Sequence, residues 1–297
     1  VLGLLRRSTL ARGAWRWVLG PMVAWADEGL NRLFLRLGDR PPARTRKPGR
    51  LRWAWVALGL GFGFLVGWGL VETGRLLAEL DPADWAELAA GAGASFGRVV
   101  LALSLASLWT VPAGVALGLR REVGGRVLPL IQLAASIPAT ALFPAVILLV
   151  IRLPAGVELA ALLLMLLGSQ WYVLFNLVGG TLAIPTDLLE AAGIFRLSGW
   201  KRWRLLLLPA IFVHLVTGLI TAAGAVWNAT VVGEYISFGG EAYRTAGLGA
   251  FITARAEAGD TAGLLAGTLV MALLVVGLNR LFWRRLYRWA ETRFRLD

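Results

Sequence analysis

The stretch Glu190–Pro209 reads EAAGIFRLSGWKRWRLLLLP and lies between two long apolar segments. It is charged and helix-forming, and a chain this apolar needs a reason to carry it. From residue types alone, two readings are open: a solvated connection between membrane helices, or a docking element for a soluble protein. Upstream, Ile184-Pro185-Thr186-Asp187 is a helix start. Proline in the first helical turn lacks only a donor that would be unpaired anyway, and Asp187 and Glu190 then sit near the positive end of the helix dipole. Ser198-Gly199 is expected to break this helix. Trp200-Lys201-Arg202-Trp203-Arg204 follows, a basic and aromatic run of the kind that anchors a span at the membrane interface. Ala191 and Ala192 permit close approach of another backbone, and Glu190 gives orientation.

The rest of the chain supplies the setting. Of its 297 residues, 58% are hydrophobic, above the roughly 45–50% of soluble domains. There are no cysteines and one histidine, His214. Disulfides, thiolate metal sites and multi-histidine sites are thereby excluded, and no metal or cofactor is expected. A bilayer core about 30 Å thick needs about 20 mostly apolar residues per helix. Six segments qualify: Trp53–Val71, Val99–Leu119, Val127–Ile151, Val157–Leu182, Leu205–Val232 and Ala262–Trp283. They do not alternate with period two, so strands are not expected. The fold class is an all-α membrane protein with six transmembrane helices.

The net charge of +12 suits either nucleic acid or the inner face of a membrane, and its location decides. The N-terminal arm to Arg52 carries 12 Lys and Arg, Arg120–Arg126 carries 3, Arg196–Arg204 carries 4, and the tail from Arg280 carries 6. That places 25 of 30 on one side, with Arg75, Arg98, Arg152, Arg244 and Arg255 on the other. The positive-inside rule puts both termini and the Glu190 loop in the cytoplasm. Topology explains the charge, so no nucleic-acid partner is expected. Of the outer segments, Glu72–Gly97 has a helix start at Asp81-Pro82 and is expected to lie on the membrane surface at Trp85. Glu234–Asp260 is Gly-rich, then helical over Gly247–Ala258.

These features carry a resemblance. Glu190-Ala191-Ala192, with Pro209 nineteen positions after the Glu, resembles the coupling loop of binding-protein-dependent ABC importer permeases. Ala135-Ser136-Ile137-Pro138-Ala139-Thr140-Ala141-Leu142-Phe143-Pro144 is similar to the proline-bearing third span of their nitrate/sulfonate/taurine branch. The similarity runs from about Trp85 to Asp297 and is strongest over 130–260. It implies a type I importer permease bundle in a bacterial inner membrane, with a cytoplasmic coupling loop, 184–204, that fits a groove of an ATP-binding cassette ATPase. Asp187, Glu190, Ala191, Ala192, Gly193, Arg196 and Gly199 belong to that loop. Where the family usually has glycine six residues after the Glu, this chain has Arg196. The implied partners are ATPase subunits, a second permease half, an external or periplasmic solute-binding protein and membrane lipid. Some importers fuse two halves. Met22–Asp27 echoes Leu286–Glu291, so the arm 1–52 reads as a basic linker or the tail of a preceding half, ahead of a permease domain at 53–297.

Polar residues inside spans usually face the bundle interior. Gln132, Ser136, Thr140, Gln170, Asn176, His214, Thr217, Asn228, Thr230 and Glu234 are therefore candidates for a translocation path, or for helix–helix hydrogen bonds. Asn228, Thr230 and Glu234 cluster near the outer end of the fifth span. His214 shares a helix face with Thr217 and is expected to be neutral. Pro138 and Pro144 free backbone carbonyls that can line a cavity. The chain is not expected to be an enzyme: no GxxxxGK[ST] occurs, so ATP hydrolysis falls to a partner. The alternatives are an ion-coupled secondary transporter, which calls for acids at mid-membrane, and a non-transporting scaffold. A small oxyanion or sulfonate is the implied solute, although no cation is read deep in a span.

Overall fold

In hydrocarbon every backbone N–H and C=O must be satisfied within its own segment, so long apolar runs fold as helices. The computed structural model describes residues 49–238 and 240–294. The expected arm before residue 49 and the echo at Met22–Asp27 lie outside the described residues. The chain divides at Trp68 and Gly69. Helix α1 (Gly49–Ala78) runs across that division and is long and apolar enough to cross a membrane.

The second part begins with α2 (Pro82–Leu119), one unbroken helix. Its start is as the sequence suggests: Pro82 opens it, and the Asp84 carboxylate accepts from the Asp81 N–H at 3.1 Å. The expectation of a separate surface helix is corrected. Nothing between Ala90 and Val99 breaks the ladder, because isolated glycines weaken a helix without ending it. At 1.5 Å per residue α2 is about 57 Å long, well beyond the hydrocarbon thickness. The third expected span is broken into α3 (Arg121–Ala135) and α4 (Phe143–Val150), bent by 69°. Pro138 causes the break, since it lacks a donor and disfavours helical geometry in the residue before it. The segment crosses this gap through a 3₁₀ turn, Ala139–Leu142.

Helix α5 (Gly156–Leu182) matches the fourth expected span. The loop region holds α6 (Thr186–Ile194) and the short α7 (Gly199–Arg202), which passes through a π turn (Trp203–Leu207) into α8 (Leu208–Gly233). The wide turn ends two residues before Pro209. It relieves the clash between the proline ring and the carbonyl four residues earlier. An antiparallel hairpin of β1 (Tyr235–Phe238) and β2 (Glu241–Arg244) follows, where a Gly-rich loop and no strands are expected from the sequence. Helix α9 (Leu248–Glu257) leads to α10 (Thr261–Leu278), then a second π turn (Asn279–Trp283) and α11 (Arg284–Phe294). Among the described residues, five helices are long and apolar enough to span, or six if the bent pair is one span.

Helices α2, α5 and α8 form the core around Val99, Ala102, Met165, Val173, Leu177, Ile211, Val226 and Trp227. Lipid is as apolar as leucine, so this packing rests on close contact rather than on escape from water. Gly114 and Gly118, four apart, let α2 press on α5. A Cβ at Gly114 would lie 2.7 Å from Leu177 Cβ, and one at Gly118 would lie 2.5 Å from Thr181 Cβ.

Candidate functional site

The 184–204 loop is anchored on one side and open on the other. Ile184 and Ala192 are buried, and Leu189 packs on the main core. Asp187, Glu190, Gly193, Arg196 and Gly199 are exposed, and Ala191 is half-buried. Ala192 thus faces its own bundle, leaving Ala191 for any outside contact. Ile194, Phe195 and Trp200 project outward at 80%, 77% and 70% exposure. Two details correct the sequence reading. Pro185 is the residue before α6 rather than part of its first turn. The helix ends at Ile194, before Ser198-Gly199, and closes over Phe195 and Arg196: Leu197 N–H reaches Ala192 O at 2.8 Å, Arg196 N–H reaches Gly193 O at 2.9 Å, and Arg196 has φ +49°. This is a Schellman ending with arginine in the left-handed position that glycine fills most easily.

The polar residues of the spans separate into two groups. Gln132, Ser136, Thr140 and Asn228 are exposed, and Asn176, His214 and Thr217 are half-buried. Asn176 and Thr217 donate to carbonyls one turn back, Tyr172 O at 2.8 Å and Val213 O at 2.9 Å. His214 seats against Gly180, where a Cβ would lie 2.5 Å from its Cγ. Gln170, Thr230 and Glu234 are buried. Gln170 accepts from Trp109 Nε1 at 3.1 Å, and Thr230 donates to Trp227 O at 2.8 Å. Asn228 and Thr230, two apart on α8, point to different environments, so the cluster expected at the outer end is divided.

Glu234 joins a buried network whose other half the sequence did not reveal. Arg98, counted as an external cation, lies inside α2 and is 8% exposed. Its Nη1 donates to Glu234 Oε1 at 2.5 Å, its Nε to Glu158 Oε2 at 2.6 Å, and its Nη2 to Glu158 Oε1 at 3.0 Å and Thr245 Oγ1 at 2.9 Å. Arg98 Nη2 also reaches Ala246 O at 2.5 Å. Ser95 Oγ donates to the Glu234 carboxylate, and Gly249 N–H donates to Glu234 Oε2 at 2.8 Å. Leu248 N–H donates to Ser95 Oγ at 2.8 Å. The guanidinium therefore ties α2, the start of α5, the end of α8 and the loop before α9 together. Planar, many-donor arginine is suited to such a junction, and lysine is not. Gly249 is required by closeness, since a Cβ there would lie 2.3 Å from Thr230 O. Among the described residues, no group of three His, Cys, Asp or Glu could hold a metal ion.

The profile of the "binding-protein-dependent transport system inner membrane component" family matches residues 110–296. The taurine transport system permease protein of Escherichia coli is 30% identical, over 81% of this chain and 94% of that protein. The bicarbonate transport system permease protein of Synechococcus elongatus is 30% identical over 49% of this chain and 51% of its own length. The nitrate import permease protein of the same species is 27% identical over the same shares, 49% and 51%. The chain thus spans about half the length of these bicarbonate and nitrate relatives. The family match takes in the loop, α5, α8 and Glu234, and begins after Ser95 and Arg98.

Proposed function

The chain belongs to the binding-protein-dependent transport system inner membrane component family, and we propose that it forms one half of the solute path of an ABC importer, with the 184–204 loop as the element its ATPase grips. The family is one of transporter permeases, and the apolar helices fit a multi-pass inner-membrane protein. The observation that carries the coupling role is the outward face of the loop. Ile194, Phe195 and Trp200 stand exposed beside a helix pinned to the bundle by Leu189 and Ala192. Large apolar side chains grouped on a polar loop mark an interaction surface, and a pinned helix can pass motion to α5 and α8.

The cargo in this reading is a small anionic solute with a sulfonate, carbonate or nitrate-like group, in keeping with the names of the relatives. The 25-to-5 division of cations supports a cytoplasmic loop and cytoplasmic termini. A second permease half, separate or fused, completes the path. Exposed Gln132, Ser136 and Asn228 and half-buried Asn176 and His214 are its candidate lining, while Gln170, Thr230 and Glu234 are engaged within the fold. An ion-coupled transporter calls for acids at mid-membrane, whereas Glu158 and Glu234 stand at the ends of α5 and α8 and are bound to Arg98. The test is purification of the full chain from native membranes, identification of co-purifying proteins, and reconstitution with labelled taurine, bicarbonate or nitrate. ATP-dependent uptake that needs a co-purified ATPase supports the reading. Uptake by the chain alone, driven by an ion gradient, contradicts it.

A further inference from the structure

The end of the bundle that carries the loop holds a cavity of about 530 Å³ between the last turns of α2 and the α7 region. Pro112, Val115, Leu119 and Leu207 make apolar walls, and Trp203 lines it beside them. Its only charged lining residues are Arg120 and Arg202. Arg202 Nε is buried and has no hydrogen-bond partner, the one such side-chain atom among the described residues. Neither arginine forms an ion pair with any described residue. A buried charged donor left unpaired is costly. An arginine that merely snorkelled would keep its nitrogens in water, and here Nε is shielded instead.

We propose that this cavity binds a phosphate-type oxyanion, with Arg202 and Arg120 as its ligands. The fork of Arg202 would satisfy its buried Nε on one anionic oxygen, as guanidinium groups do with phosphate. The combination of two guanidinium groups with an apolar wall fits an amphiphile best. The phosphate of an anionic phospholipid would sit on the arginines, and its acyl stem would lie along Val115, Leu119 and Leu207. Basic pockets between membrane helices bind such headgroups. An occupant would bridge the end of α2 to α7 and so steady the loop. The proposal stands on the cavity and does not depend on the loop's coupling role.

The test is native mass spectrometry of the full chain in detergent with added phosphatidylglycerol or phosphatidylcholine. The wild type is expected to retain phosphatidylglycerol over phosphatidylcholine. Arg202→Gln is expected to lower phosphatidylglycerol affinity about tenfold, the usual scale for one charge-assisted hydrogen bond. Arg202→Lys, which keeps the charge and loses Nε, should fall between. Arg126→Gln removes an exposed cation in the first turns of α3 that does not line the cavity, and should leave affinity unchanged. Inorganic phosphate in a parallel titration separates the sources: Arg202-dependent displacement of the lipid by millimolar phosphate assigns the site to a free oxyanion, and no displacement assigns it to lipid. Unchanged affinity in a folded Arg120→Gln/Arg202→Gln double variant, or equal loss in Arg126→Gln, would overturn the proposal. Arg202→Lys decides if the double variant does not fold, and wild-type affinity in that variant also overturns it.

Discussion

Arg98 Nη1 meets Glu234 Oε1 at 2.5 Å, across 136 positions of sequence, with the Glu234 side chain fully buried. Removing one partner of a buried pair leaves an uncompensated charge, at about 3–5 kcal/mol. Arg98→Met should therefore destabilise strongly, seen as a large fall in the thermal midpoint of the detergent-solubilised protein. The double variant Arg98→Met/Glu234→Leu should recover part of that loss, because apolar replacements of a buried pair are often neutral, while Ser95 Oγ and Gly249 N–H lose their acceptor and keep the recovery incomplete. Glu158 stays tolerable there, since its side chain is 47% exposed and can turn to water. A double variant no better than Arg98→Met would show that the pair does not act as a unit.

Asp260 caps α10. Its Oδ1 accepts from Gly263 N–H at 2.9 Å, and its Oδ2 accepts from Arg255 Nη1 at 2.9 Å. The Gly263 N–H chiefly, and Arg255 after it, hold its carboxyl below the usual carboxylate range. A depressed folded-state pKa gives stability that is present above the unfolded value, about 3.9, and lost as pH falls through the folded one. Thermal unfolding followed from pH 7 down to 3 should show an acid-side loss that is smaller in Asp260→Asn. Identical acid profiles would remove Asp260 from the account.

Arg196 occupies a left-handed backbone position at φ +49°, where a residue with a Cβ is strained by about 1–2 kcal/mol. Arg196→Gly relieves that strain and adds chain entropy to the unfolded state, for a net gain of about 0.5–1 kcal/mol. Hydrogen exchange at Leu197, whose N–H closes the helix onto Ala192 O, should slow. Faster exchange would show that arginine holds the turn by a contact of its own.

The hairpin turn at Gly240 gives a better topology probe than the start of α2, because an insertion there interrupts no helix. A reporter at Gly240 should read external and one after Asp297 cytoplasmic. The reverse pattern would contradict the orientation taken from the cation count.

Continuous apolar runs made α5 and α8 legible, since length and composition alone decide a span. The bend of the third span was half legible: Pro138 was visible, but the 69° angle depends on how α3 and α4 pack. The continuity of α2 from 82–98 into 99–119 was not legible, because glycines at 91, 93 and 97 permit either a break or continuity. The hairpin has a sequence signal, Gly239-Gly240 between Tyr-Ile-Ser-Phe and Glu-Ala-Tyr-Arg. Arg98 had none. Its partners lie 60 and 136 positions away, and counting charges by segment treats a cation in a helix and one in a loop alike. The Glu190 loop was recognisable as a motif, yet the inward turn of Ala192 appears only once α6 is placed on the core.

Under the proposed function a soluble ATPase grips the 184–204 loop, and loop variants should therefore change how much of that subunit co-purifies with the chain. Glu190 is exposed, so Glu190→Lys should cost within about 0.5 kcal/mol of stability. Ala191 is half-buried at the edge of the proposed docking face, and Ala191→Trp should block approach sterically. At membrane abundance equal to wild type, the predicted result is loss of ATPase co-purification in Ala191→Trp and a marked reduction in Glu190→Lys. Wild-type recovery of the ATPase with both variants would take the coupling role away from this loop.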